Sequence, residues 1–265
     1  MRDTAPDSEI VSVATIDAFH RGNFKLVQPR DGGHRAGMDA MMLAAAVPSG
    51  FAGRVADLGA GAGAAGLAVA SRCPQATIVL VENAPEMLAF AERSVGHPDN
   101  RHLKARVSLI AADVALAGKA RAACGLADGS FDFAIMNPPF NAGHDRATPD
   151  ALKRDAHVMP DGMFERWIRS AAAIVRPRGG LAAIARPQSL EPILAALAGR
   201  FGKVEILPIH PRPDAPAIRI VVRAVRASRA GLSLLPALSL HEAAGNRFSA
   251  RADAINNGQA SLFGD

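Results

Sequence analysis

The stretch Asp57-Leu-Gly-Ala-Gly-Ala-Gly63 constrains this chain more than any other. It follows a short apolar run, Val55–Leu58, and precedes an apolar stretch, Ala64–Arg72, that Cys73-Pro74 closes. Alternating glycines let the backbone turn tightly where a strand passes into a helix, and they let a ligand approach the main chain closely. The first N–H groups of the following helix are open at such a turn. A strand, a glycine turn and a helix in succession predict an α/β protein.

The rest of the chain repeats that alternation. Strands are expected at Thr77–Val81, Val107–Ala111, Phe131–Met136, Gly180–Ala185, Val204–Leu207 and Ile218–Val225. Helices are expected at Pro85–Val95, Phe164–Val175 and Leu190–Arg200, with Pro85 suited to a first turn. Strands separated by helices imply βαβ units and a doubly wound, mostly parallel, Rossmann-like sheet. The last two strands have only a Pro-rich loop between them, which predicts a hairpin and an antiparallel last strand at one edge. Residues 1–22 read as a leader without periodicity, and Asp39 reads as the N-cap of a short helix over residues 39–47. The expected division is a short N-terminal extension over residues 1–50, a main domain over 51–230 and a tail over 231–265 packed on it.

Composition excludes several classes. Apolar residues at 49% and charged residues at 21% support a full core and argue against disorder. No apolar run of about 18 residues lacks charge, so no transmembrane helix is expected. The first ten residues, MRDTAPDSEI, contain no apolar signal region, so a cytoplasmic protein is expected. Cys73 and Cys124 are too few for a disulfide framework or a four-cysteine zinc site, and the histidines lack metal-ligand spacing, so no metal is expected. The net charge of +5 comes from 25 Arg and 5 Lys against 25 acidic residues. Arginine over lysine suits phosphate recognition. It equally suits a G+C-rich genome, so charge alone names no partner.

Residues further along the chain narrow the ligand of the glycine turn. Gly61-x-Gly63-x-x-Gly66 formally fits a dinucleotide fingerprint. Asp57 would repel a diphosphate there and would suit an ammonium or a hydroxyl. Glu82, about 20 residues beyond the glycines, is placed to accept hydrogen bonds from ribose hydroxyls. Asp113, after the third strand, could accept from an adenine amino group. Asn137-Pro-Pro-Phe140 then stands at the C-terminal end of the fourth strand. Pro138 and Pro139 lack N–H donors and force extended backbone. The Asn137 side-chain carbonyl and the Pro138 carbonyl thus offer two acceptors to one –NH2 group, and Phe140 offers a flat apolar face.

These segments, in this order and spacing, resemble the class I S-adenosylmethionine-dependent methyltransferases that act on amino nitrogens. Arg30-Asp-Gly-Gly-His-Arg-Ala-Gly-Met-Asp-Ala40, Leu43-Ala-Ala-Ala-Val-Pro48, Ile206-Leu-Pro-Ile-His-Pro-Arg212 and Leu240-His-Glu242 are similar to the tRNA1(Val) adenine-37 N6-methyltransferase family. The resemblance spans about residues 25 to 260 and implies a seven-stranded sheet. It implies that S-adenosyl-L-methionine is bound by Asp57, Gly59, Gly61, Gly63, Glu82 and Asp113, with Arg35 and Gly37 in a segment closing over the methionine end. It implies catalysis by Asn137, Pro138 and Phe140 on the N6 amine of a tRNA adenine. Met38 stands where relatives are expected to have Thr, and Asn83 beside Glu82 is a second departure.

An RNA substrate would need cations at the rim of the crevice. Arg35, Arg146, Lys153, Arg154 and the group Arg223, Arg226 and Arg229 are the candidates. The expected partner is tRNA, with no membrane, and the enzyme is expected to be a monomer. The Asn-Pro-Pro-Phe motif also suits a protein glutamine amide or a small-molecule amine, and an NAD-binding enzyme remains an alternative.

Overall fold

A computed structural model describes residues 14–30, 36–139, 141–142, 158–159 and 162–265. The chain opens with a hairpin, β1 (Ala14–Phe19) against β2 (Phe24–Pro29). Next come α1 (Met38–Ala44), β3 (Arg54–Leu58), α2 (Ala64–Arg72), β4 (Thr77–Glu82), α3 (Pro85–Gly96), the single turn α4 (Arg101–Lys104) and β5 (Val107–Ala111). Then follow α5 (Gly118–Ala123), β6 (Phe131–Met136), the short paired strands β7 (Asn141–Ala142) and β8 (Val158–Met159), α6 (Met163–Ile174) and β9 (Val175–Ala185). The remainder is α7 (Leu190–Leu197), β10 (Phe201–His210), β11 (Arg219–Arg226), β12 (Ser233–Leu234), β13 (Leu238–Ser239) and α8 (Ala250–Asn256).

Seven long strands form the sheet in the order β10-β11-β9-β6-β3-β4-β5. β11 is antiparallel to both its neighbours, and the other long pairs are parallel. The hairpin and the antiparallel last strand are therefore present, with β11 slotted between β9 and β10. The seven strands that the resemblance implied are present, and among the described residues two short strands, β12 and β13, add to them by pairing in parallel with the outer edge of β10.

Alternation along the strands sorts side chains into two cores. Val55, Ile78, Leu80, Phe133 and Ile135 face one layer, with α1, α2 and α3. Ala56, Leu58, Val79, Val81, Ala134 and Met136 face the other, with α6 and α7. The α6 helix supplies an apolar face of Met163, Phe164, Ile168, Ala171 and Ala172.

Two expectations about the N-terminal region change. Residues 14–19 are not leader but strand β1; its partner β2 carries Phe24 and Leu26 into the α1–α2 core, which only pairing across the hairpin reveals. Asp39 is not the N-cap of α1. Gly37 occupies that position, and Asp39 sits in the first turn with its carboxylate 2.8 Å from the Arg219 guanidinium. In the C-terminal stretch, Ala252, Ile255 and Leu262 join the same core, and the Leu262 N–H donates to Ala45 O at 2.6 Å.

Candidate active site

Strand register brings three predicted positions to one edge. Leu58 on β3 pairs with Val81 on β4 and with Met136 on β6. The next residues, Gly59, Glu82 and Asn137, therefore leave the carboxyl ends of three adjacent parallel strands side by side. Ligands of open α/β sheets bind at this edge. On the far side of β4, Glu82 pairs with Ala111 of β5, so Asp113 emerges one strand further along.

The glycine turn is held by main-chain and carboxylate contacts. Gly59, Gly61 and Gly63 have φ of +72°, +55° and +91°, left-handed values in a strand-to-helix turn. The N–H groups of Gly59 and Ala60 both donate to Val81 O, at 2.9 and 3.0 Å. Gly59 has a second constraint: a β-carbon there would lie 2.5 Å from Trp167 Cη2 on α6. The turn can pass this indole only without a side chain.

Two carboxylates brace the turn from below. Glu82 Oε2 accepts the Gly61 N–H at 2.8 Å, and Oε1 accepts the N–H groups of Asn83 and Ala84, both at 2.9 Å. Asn83, a departure from the resembled family in sequence, thus contributes its main chain to fixing Glu82. Asp57 is buried, and its Oδ2 accepts the Gly66 N–H at 2.8 Å. Burial pushes the Asp57 carboxyl up to about 7; the Gly66 N–H opposes that shift and the Glu82 charge adds to it. Asp113 is exposed and accepts the Ala115 N–H at 2.8 Å, a local turn that fixes its carboxylate.

On the other side of Gly59 stands Asn137. Its Oδ1 is buried and accepts no hydrogen bond among the described residues. Pro138, also buried, follows without an N–H. A buried acceptor without a donor costs about 1–3 kcal/mol, and a substrate donor would recover it. Gly37 lies exposed at the start of α1. Phe140, Arg35, Arg146, Lys153 and Arg154 lie outside the described residues.

The expected RNA contacts on β11 are corrected. β11 runs antiparallel, so its end points away from the Asn137 edge. Met136 lies level with Ala183 and Val222, which leaves Arg226 about 17 Å from the Asn137 level along the strand direction. Arg223 is buried, bonded to Glu205 at 2.9 Å and to Asp265 at 2.6 Å, with its guanidinium 4.0 Å from the Phe263 ring centre. Arg226 donates to the carbonyls of Ala172 and Arg200. Both guanidinium groups hold the fold together.

Trp167 is a site residue that the sequence pattern does not single out. Its spacing of four from Met163 on an apolar helix face places it in a core, but nothing local ties it to Gly59. Among the described residues no group of three or more His, Cys, Asp or Glu is arranged to hold a metal ion.

Comparison with known proteins adds a family. Residues 35–211 match the family model described as Methyltransferase small domain. A solved structure described as a predicted O-methyltransferase, protein Atu636 from Agrobacterium tumefaciens, is 44% identical, covering 84% of this chain and 98% of that one with a TM-score of 0.74. The release factor glutamine methyltransferase of Mycolicibacterium smegmatis is 32% identical over 133 residues, which are 49% of this chain and 40% of that protein, so the chain matches well under two thirds of that relative's length. TYW2 of P. horikoshii, solved with MeSAdo, is 13% identical with a TM-score of 0.54 over 82% of this chain and 72% of that one, a likeness of fold alone.

Proposed function

The chain belongs to the Methyltransferase small domain family of S-adenosylmethionine-dependent methyltransferases, and from that premise we propose that it methylates a planar primary –NH2 nitrogen. The observation that carries this reading is the buried Asn137 Oδ1, an acceptor without a donor beside the glycine turn. An –NH2 group has two donors, and Asn137 with Pro138 O supplies two acceptors. A hydroxyl has one donor and would leave one acceptor unmet, which favours nitrogen over the oxygen acceptor in the name of the Agrobacterium protein.

The residues present fit S-adenosyl-L-methionine. In this reading Glu82 accepts from the ribose hydroxyls and Asp113 from the adenine amine, and Gly59, Gly61 and Gly63 offer main chain that a ligand can approach closely. When bound, that cofactor supplies an electrophilic methyl group on a sulfonium. Asn137 and Pro138 accept both N–H bonds of the substrate, which draws the nitrogen out of conjugation and frees its lone pair. Positioning provides most of the remaining acceleration. The product amine's surplus proton is acidic enough to leave to water, so the site needs no strong base.

Two acceptors share this chemistry. A glutamine carboxamide in a protein is supported by the similarity to the release factor enzyme and takes precedence. The N6 amine of a tRNA adenine is supported by the motif order and the basic balance of the chain. Transfer of labelled methyl from S-adenosyl-L-methionine to separate protein and tRNA fractions tests the proposal. Label in protein glutamine supports the first acceptor and label in N6-methyladenosine the second. Label on oxygen alone, or none in either fraction, overturns the –NH2 reading.

A further inference from the structure

Strand register gathers cations at one corner of the sheet, on the edge opposite Asn137. β9 begins there with Arg176 and Arg178, β10 carries Lys203 near its start, and β11 ends there at Arg226, with Arg229 just beyond. Val225 stands opposite Gly180 of β9 and opposite Gly202 of β10, and the Lys203 N–H donates to Ala230 O at 2.7 Å. Arg178, Lys203 and Arg229 thus fall within two strand spacings, roughly 10 Å of sheet width.

Their charges are not neutralised locally. At this corner Asp132 pairs with Arg176 and Glu165 with Arg200, while among the described residues Arg226 bonds only carbonyls. Arg178, Lys203 and Arg229 are exposed, and their side chains have no hydrogen bond or ion pair among the described residues. Six cations against two carboxylates place most of the chain's net charge of +5 in one patch. The backbone is also unusual. Arg178 has φ of +69° and Lys203 of +48°, left-handed values where glycine would fit without strain, and Ala227, next to Arg226, has +58°. Backbone outliers of this kind collect at functional surfaces.

We propose that this corner binds the phosphate backbone of RNA. Among the described residues the three cations have a single exposed large apolar neighbour, Leu232, between Ala230 and Ser233 beside Lys203, and Leu234 lies further up the outer edge. A protein interface draws its energy from buried anchors. Phosphate binding draws it from unpaired cations and counterion release, and needs no such anchor. By strand register Gly180 and Gly202 lie level with Phe133, four residues before Asn137, so the patch starts roughly 13 Å from the Asn137 level along the strands and grips RNA away from the reacting centre. The proposal goes beyond the methyl-transfer reading and does not depend on which –NH2 group is methylated.

The test compares the full chain with the Arg178→Gln/Lys203→Gln/Arg229→Gln variant, using fluorescein-labelled tRNA across a KCl series. The expected result is at least a tenfold loss of affinity at low salt. The slope of log affinity against log salt should fall by about 2 to 3, one contact per lost cation. S-adenosyl-L-methionine binding and the melting temperature should match the parent. A second variant, Arg178→Lys/Arg229→Lys, keeps the charges and should keep the parental slope; loss of slope there overturns the proposal. So does an unchanged slope in the Gln variant, or a parent that binds polyglutamate in preference to tRNA. Methyl transfer is scored separately. A parent that labels protein glutamine but binds no tRNA overturns this inference alone, and one that binds tRNA through the corner but methylates no –NH2 overturns the reaction alone.

Discussion

The buried carboxylate of Asp57 accepts the Gly66 N–H at 2.8 Å, tying the end of β3 to the start of α2 across the glycine loop. A β-carbon on Gly66 would meet Leu80 Cδ2 at 2.3 Å, so helix and sheet approach closely enough for this bond only because residue 66 is glycine. The tie fixes the loop before any ligand is present.

Asp57 makes stability depend on pH. Burial raises its folded-state pKa to about 7, above the unfolded value of 3.8. Between these values the folded protein keeps a proton that the unfolded chain has released. Stability therefore falls as pH rises from about 4 to 7, and then levels off. Linkage sets the fall at no more than about 4 kcal/mol. Asp57→Asn stays neutral and keeps an oxygen for the Gly66 N–H. Its melting temperature should overtake that of the parent as pH rises through this window. Parallel melting curves from pH 4 to 8 would refute the assignment.

The contact between Trp167 and Gly59 makes a built-in reporter. Trp167 is the one tryptophan, and the chain has no tyrosine. Its indole rests against the glycine turn, so S-adenosyl-L-methionine bound there should shift or quench the emission, and Trp167→Phe should abolish the signal. Gly59→Ala combines left-handed φ with a 2.5 Å clash and should cost about 1–3 kcal/mol. Adding Trp167→Ala relieves the clash but not the φ, so rescue by the double variant should be partial.

Local pattern carried much of this structure. β5 and β6 lie where Val107–Ala111 and Phe131–Met136 predict them, because β-branched or alternating apolar runs end at turn residues. The Gly59–Glu82–Asn137 edge was legible because each residue ends a parallel strand, and parallel strands end together. The β1–β2 hairpin was not, since the buried residues of Phe24–Pro29 depend on pairing and on α1. β10 begins at Phe201, three residues earlier than expected, because a register shift between Gly202 and Glu205 breaks the alternation. The fates of Arg223 and Asp39 were set by partners far away in sequence, Asp265 and Arg219.

Arg223 supports the fold. It is buried against Glu205, Asp265 and the Phe263 ring. Arg223→Ala leaves Glu205 without its cation inside the protein and releases the C-terminal Asp265, at a cost of about 3 kcal/mol. Its melting temperature should drop by several degrees. Its salt slope for tRNA should stay at the parental value, in contrast to the corner variant. A lower slope with unchanged stability would restore Arg223 as an RNA contact.

Asn137 gives the sharpest separation of function from stability. Residues that hold a fold together lower the melting temperature when truncated. Asn137 Oδ1 is already a buried acceptor without a donor among the described residues, so the folded protein bears its desolvation cost without a hydrogen bond in return. Asn137→Ala removes that cost and should leave the melting temperature equal or higher. The same change deletes one of the two acceptors proposed for the substrate –NH2, and methyl transfer should fall by about 100- to 1000-fold, the scale of losing one aimed polar group in a dry site. Affinity for S-adenosyl-L-methionine, for which Glu82 and the glycine turn are the proposed site, should change by less than about twofold. Asn137→Asp retains an acceptor oxygen and should lie between parent and Ala variant in rate. Calorimetry and labelled-methyl assays on the three proteins decide the matter: a destabilised Ala variant with normal turnover would make Asn137 a structural residue and remove it from the reaction.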